Sequence, residues 1–279
     1  MKKRLLALVA ACATLALSAV LLAGCSGGGD AQQSANTDNA SGDGTFTLAV
    51  GFDQGYPPYG YVGDDGEFTG FDLDLAQAVC EKMGWDLKLE AIDWDAKDAL
   101  IGSGTINCIW NGFTMEGRED GYTFSDPYML NEQVVVVRAD SDIASLDDLA
   151  GKTVMTQVDS AALDVLEDSQ ADLAATFAGG APQTIGDYNN AFMQLESGMV
   201  DAVACDLSIA AYQMAANPDK YVQLDALSTE HYAVGFKKGD TELAQQVTDA
   251  LKQLDEDGTV KELCEKYADQ GISYDNWVL

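Results

Sequence analysis

An α/β fold is what this sequence predicts, and three observations predict it. From residue 45 onward, segments of strand composition alternate with segments of helical period. The stretch 45–279 is about the size of two small domains. Within EQVVVVR (132–138), four consecutive valines make a run apolar enough for a central strand.

The elements follow in order. TFTLAVG (45–51) is rich in β-formers and ends at a glycine, which predicts a strand. Pro57 and Pro58 hold the next loop extended. Aromatics alternating around Gly63-Asp64-Asp65-Gly66 signal a hairpin. From Phe71 the period changes: Leu75, Val79 and Met83 fall at i, i+4, i+8, giving an amphipathic helix closed by Gly84. DLKLEAID reads as a strand, WDAKDALIGSG as a helix and TINCIW as a strand. SLDDLAGKTV predicts a short helix N-capped by Ser145, then a strand. Beyond it come a helix from Ser160, a strand over DLAATFA (172–178), a helix over 185–196, a strand at DAVAC and a helix from Asp206. YVQLD and HYAVGFKKGD read as the last strands, and helices over 241–254 and 259–267 close the chain.

The N-terminus reads differently. Lys2, Lys3 and Arg4 precede an uncharged apolar stretch from Leu5 to Leu22, which describes an export signal. LAGC, ending at Cys25, resembles the lipobox of bacterial lipoproteins, which implies cleavage after residue 24 and lipidation of Cys25. Residues 25–44 contain no large apolar side chain and read as a tether holding a folded body off a membrane. The expected location is therefore extracytoplasmic, with membrane contact through the lipid alone.

The signal carries three of the 15 basic residues and none of the 46 acids, so the mature chain would carry 12 minus 46, or −34. Nucleic acid is excluded as a partner, because phosphate binding needs a basic footprint. Cys80, Cys108, Cys205 and Cys264 show no zinc spacing and sit in apolar contexts, so buried free thiols are expected, with one disulfide the alternative in an exported protein. AGKT at 150–153 is no phosphate loop, since Leu146 stands where the first glycine is required. His231 is the sole histidine and has no G-x-S-x-G partner, against a serine hydrolase. Asp72 and Asp74 read as polar residues of a first helical turn rather than metal ligands. No cofactor or metal is expected.

YPPYGYVGDDGEFTGFDLDLAQAVCEKMGW, WNGFTMEGREDGYTFSDPY, SLDDLAGKTVMTQVDSAALDVLE, FMQLESGMVDAVACD and HYAVGFKKGDTELAQQV together resemble the polar amino-acid-binding proteins of ABC importers. The segments match collinearly across 45–279. The resemblance implies a periplasmic-binding-protein-like fold (type II): two α/β lobes joined by two crossing strands, with lobe 1 at 45–131 plus 231–279 and lobe 2 at 134–228. It implies a monomer that captures a free polar amino acid by hinge closure and delivers it to a membrane permease, without being an enzyme. Alternatives on the same fold are a cyclohexadienyl-dehydratase-like enzyme, with Glu230 or His231 as acid, and a chemosensory ligand receptor.

A free amino acid presents a carboxylate and an ammonium on one carbon, so its site needs a bidentate cation and a fixed anion. The resemblance places Arg118 on the carboxylate, supported by the Gly112 N–H, the Thr114 hydroxyl and the helix start at Ser160, with Asn111 in the same turn. It places Asp206 on the ammonium, a position where an acid is equally an ordinary N-cap. Asp53, Tyr56 and Trp94 are the implied side-chain pocket. Three departures stand out: Asp159 replaces a frequent glycine, Ala161 replaces a frequent threonine, and TMEGR is a residue shorter than usual between Thr114 and Arg118. The charge of Asp159 would weaken a carboxylate site unless it points away or meets a cation.

Overall fold

The computed structural model describes residues 44–279, so the signal, Cys25 and the tether as far as residue 43 lie outside the described residues. β1 (Thr47–Phe52) leads into β2 (Gly55–Tyr56), β3 (Gly60–Val62) and β4 (Phe68–Thr69), with β3 and β4 forming the expected hairpin. The peptide between Pro57 and Pro58 is cis. Next come α1 (Phe71–Met83), β5 (Asp86–Ala91), a 3₁₀ turn at Trp94–Ala96, α2 (Lys97–Ser103), β6 (Cys108–Ile109) and β7 (Tyr122–Phe124). The chain then crosses along β8 (Met129–Arg138) into a 3₁₀ turn at Leu146–Leu149, β9 (Val154–Gln157), α3 (Ala161–Glu167), α4 (Ala171–Ala174), β10 (Gln183–Ile185) and α5 (Tyr188–Ser197). β11 (Ala202–Asp206), α6 (Leu207–Ala216) and β12 (Tyr221–Gln223) follow. β13 (Ser228–Tyr232) returns the chain to β14 (Gly235–Lys237), α7 (Thr241–Glu256) and α8 (Thr259–Lys266).

Two larger sheets result, ordered β5-β1-β6-β14-β7 and β10-β9-β11-β8-β12. Each places in its fourth position a strand antiparallel to both neighbours: β14 in the first, β8 in the second. β8 also pairs antiparallel with β13, from Ser228 opposite Gln133 to Tyr232 opposite Met129, and this ladder joins the two halves. The four valines of β8 are wholly buried; Val134 and Val136 face one core cluster, Val135 and Val137 another. That two-sided burial is why the run carries no polar alternation.

One expected element is absent. Residues 172–178 form the end of α4 and a turn, and the edge strand lies further on at Gln183–Ile185. ADLAAT is alanine-rich, and alanine has the highest helix propensity and little β propensity. The Ser145 cap holds, with a capping box to Asp148, over a 3₁₀ turn. The four cysteines outside the signal and tether are buried and free.

Gly70 fixes how α1 starts. Its φ is 143°, and a Cβ there would stand 2.2 Å from the Tyr59 carbonyl oxygen. Phe71 N–H and Asp72 N–H donate to the carbonyls of Pro58 and Tyr59, so the backbone cannot yield. Gly70→Ala is expected to cost about 3 kcal/mol or more, read as a lowered denaturation midpoint at unchanged slope.

Candidate functional site

Loops at the ends of both sheets converge on one cavity, lined by Tyr56, Trp94, Asn111, Gly112, Thr114, Arg118, Gln157, Ser160, Ala161 and Asp206. Eight of the positions expected from sequence therefore meet in one place. Asp53 lies beside it, its carboxylate accepting from the Gly55 N–H (2.7 Å) and from Gln157 Nε2 (2.7 Å). Burial pushes the Asp53 carboxyl up, and those two donors oppose the shift. With Asp93, Asp95 and Asp187 it lines an adjoining pocket.

Tyr56 and Trp94 line the cavity and belong to the core as well. The Tyr56 hydroxyl meets that of Tyr232 at 3.2 Å, and Trp94 packs edge-on against Phe113. Trp110 is wholly buried and serves packing. Asn111 Oδ1 accepts from the Asp53 N–H at 2.9 Å.

Two donors expected for a ligand carboxylate are engaged elsewhere. The Gly112 N–H donates to Asp72 Oδ2 at 2.6 Å, and the Thr114 hydroxyl donates to Glu230 Oε1 at 2.7 Å. Asp72 is more than a polar residue of a first turn. It is fully buried on the same helix face as Ala76 and Val79, and it also accepts from the Tyr128 hydroxyl. Gly112 has φ 56°, and a Cβ there would meet Tyr56 at 2.9 Å and Tyr232 at 3.1 Å, so the turn that Asp72 anchors admits no side chain.

Arg118 projects from a turn closed by its own N–H on the Met115 carbonyl. Its guanidinium lies over the Phe113 ring, 5.1 Å from the centroid, and bridges the two halves of the molecule. Nη2 donates to the Asp159 carbonyl (3.1 Å) and to Asp164 Oδ2 (2.8 Å), while Nη1 reaches the Thr114 carbonyl at 3.5 Å. Glu116, two residues before Arg118, holds His231 at 2.7 Å.

Asp159 has φ 55°, the left-handed conformation that explains glycine as a common occupant. Its carboxylate meets Lys97 Nζ at 3.4 Å, so the added charge finds a cation. Burial lowers the Lys97 pKa, partly offset by Asp159. Trp94 Nε1 donates to the Asp159 carbonyl at 3.1 Å, a further contact across the cleft. Ser160 caps α3, its Oγ accepting from the Leu163 N–H at 3.1 Å.

Asp206 stands at the N-cap position of α6 but makes no side-chain cap bond. Its Oδ1 accepts from Gln133 Nε2 (2.7 Å), Asn131 Nδ2 (2.9 Å) and the Tyr232 hydroxyl (2.9 Å). The same two amides donate to Glu230 Oε1, at 2.8 and 2.9 Å. Burial raises both carboxyls, Glu230 to about 7 with help from the charge of Asp206. Gln157, Asn131, Gln133 and Tyr232 escaped the sequence reading, yet a signal existed. Asn131 and Gln133 sit at i and i+2 on one buried face of β8, and Glu230 and Tyr232 share one face of β13.

Burial likewise raises Asp72 to about 7, opposed by its hydrogen bonds to Gly112 and Tyr128. Carboxyls in an unfolded chain titrate near pH 4. Between about pH 4 and 7 the folded protein thus keeps protons that the unfolded chain has released, and stability falls as pH rises through that window. The ligand-stripped protein is expected to melt higher at pH 5.5 than at pH 7.5. Asp72→Asn should recover about 1–2 kcal/mol, roughly 3–6 °C, at the higher pH and little at the lower. A Tm that rises with pH, or an equal effect of Asp72→Asn at both values, would contradict this.

Comparison with known proteins gives the family. A family model for bacterial extracellular solute-binding proteins, family 3, matches residues 48–270. The chain belongs to that family. It is 30% identical over 226 residues to the L-cystine-binding protein TcyJ of Escherichia coli strain K12, covering 79% of this chain and 82% of that protein. It is also 30% identical over 271 residues to the arginine-binding extracellular protein ArtP of Bacillus subtilis strain 168, covering 96% and 98%. Among solved structures, an ABC uptake transporter substrate-binding protein from Streptococcus pneumoniae with bound histidine superposes with a TM-score of 0.78 at 33% identity, covering 82% of this chain and 94% of that one. Membership in the solute-binding family identifies the fold as the two-lobed type II arrangement, with the β8–β13 ladder as its hinge.

Proposed function

We propose that this solute-binding protein captures a free polar amino acid, neutral or cationic, and delivers it to the permease of an ABC importer. The observation that carries the reading is one cavity lined by both the Arg118 guanidinium and the Asp206 carboxylate. That pairing suits a zwitterion: the fork of Arg118 takes the carboxylate and Asp206 accepts from the ammonium. Three of the five guanidinium N–H groups are engaged, which leaves donors for a ligand. Tyr56 and Trp94 would flank the ligand side chain, and the acidic pocket around Asp53 favours a neutral or cationic one. The relatives named for cystine and arginine and the solved structure with bound histidine support this choice, while two relatives named for glutamate do not.

Residues 45–131 plus 231–279 would form lobe 1 and 134–228 lobe 2. Ligand contacts to both lobes would favour closure about the hinge, and the permease would recognise the closed form of a monomer. A lipidated Cys25 would hold the body at the outer face of the cell membrane. No chemistry on the ligand is proposed: the relatives are binding proteins, and His231 pairs with Glu116 on the strand face opposite Glu230.

A thermal-shift screen of the purified, ligand-stripped protein against the twenty amino acids plus cystine and ornithine tests this. One or two polar amino acids are expected to stabilise the native state by RT ln(1 + [L]/Kd), read as a raised Tm. Cooperative melting with no shift from any of them would reject the reading.

A further inference from the structure

The hinge holds a second buried acid that the capture of one ammonium does not require. Glu230 is 3% and Asp206 4% exposed, and each of the amides of Asn131 and Gln133 donates one N–H to either carboxylate. The two acids are thus clamped together by a shared set of neutral donors. Among the described residues neither forms an ion pair. Two uncompensated charges at such separation in a buried site are strongly disfavoured, so one proton stays on the pair.

We propose that Asp206 and Glu230 act as one carboxylate pair that holds a shared proton until a ligand ammonium displaces it, so that capture of an amino acid releases a proton. This rests on the assignment of Asp206 to the ligand ammonium. The pair begins with a net charge of −1; the ammonium brings +1, the proton passes to buffer, and both carboxylates end ionised against the cation.

The surroundings supply no competing group. Burial, with the charge of Asp206 among the further causes, raises tyrosines 56, 59, 188 and 232 and Cys205, so these five stay neutral at physiological pH. His231 lies on the other face of β13, held by Glu116. Arg118 stands beyond Thr114, on that residue's carbonyl, while the Thr114 hydroxyl donates to Glu230. The direction of the pH effect follows. Below the titration of the free pair, capture must expel a proton, so affinity tightens as pH rises, by up to about tenfold per unit, and levels off above about pH 7.

Two measurements decide the matter. On ligand-stripped protein labelled with ¹³C at Asp and Glu carboxyls, one Glu and one Asp resonance are expected to titrate together, above the ordinary carboxylate range. Asp72 and Asp53 contribute further raised Asp signals, identified by Asp72→Asn and Asp53→Asn. Glu230→Gln should remove the Glu signal and move its Asp companion to lower pH. Calorimetry with L-arginine, L-glutamine and L-cystine at about pH 6, in buffers of differing ionisation enthalpy, should show about one proton released per ligand bound, and none with Glu230→Gln. These probes do not titrate between about pH 5 and 7, so the proton is the protein's. If Glu230→Gln does not fold, the wild-type resonances and buffer heats still give the answer. Binding heat independent of buffer would overturn the proposal. Failure of every amino acid to bind would overturn the amino-acid reading itself. The resonances alone would then judge the pair: joint titration upholds it, and separate titration below about pH 5 overturns it.

Discussion

Arg118→Lys is expected to weaken amino-acid binding by about 30- to 1000-fold, equivalent to roughly 2–4 kcal/mol, while leaving the ligand-stripped Tm nearly unchanged. Lysine keeps the charge and most of the stem but loses the planar fork. A single ammonium cannot make two parallel bonds to a carboxylate while also holding the Asp159 and Thr114 carbonyls, as Arg118 does. The small effect on stability follows from the partner: the Asp164 side chain is 60% exposed, and such pairs contribute about 0–1 kcal/mol. Asp164→Ala separates the two roles. If Arg118 serves the ligand, removing Asp164 should leave affinity unchanged or slightly tighter, because it frees a donor. If Arg118 serves only the ion pair, both variants should shift Tm alike and neither should change Kd. Titration calorimetry with the best amino acid from the thermal screen reads Kd, and thermal melting of the ligand-stripped variants reads Tm. Unchanged binding in Arg118→Lys would end the carboxylate assignment.

How much of this was legible in the residues depended on whether one element or several were needed to see it. Elements with strong periods or caps came through: α1 with its Gly84 stop, α3 from Ser160, and the β3–β4 hairpin. The strand expected over 172–178 failed because its apolar residues are mostly alanines, which bury little surface and fit a helix as readily. The site divided along the same line. Positions that the resemblance picked out, such as Arg118 and Asp206, do line one cavity. The partners of backbone and hydroxyl donors did not come through, because they are set by tertiary structure. Nothing local could show that the Gly112 N–H turns to Asp72, forty positions earlier, or that the Thr114 hydroxyl turns to Glu230. The amides at 131 and 133 were visible as polar interruptions of a buried strand, but their meaning needed β13 laid beside β8.

Asp206→Asn is expected to weaken binding at least about 100-fold by a different route. The substitution is nearly isosteric, and the Asn oxygen can still accept from Gln133, Asn131 and Tyr232, so the hinge network should persist. Stability without ligand should hold or rise, since a buried charge with no cationic partner has been removed. What is lost is the anion facing the ligand ammonium, and the new amide N–H groups would oppose that cation. The desamino analogue of the best ligand isolates this contact. Against wild-type protein it should bind weakly, and Asp206→Asn should cost it little, because the interaction is already missing. A double-mutant cycle between the ligand amine and Asp206 should therefore show a coupling of about 2 kcal/mol or more. Equal losses for the amino acid and its desamino analogue would mean that Asp206 only braces the hinge, and the ammonium would have to find its anion elsewhere, with Glu230 the nearest candidate.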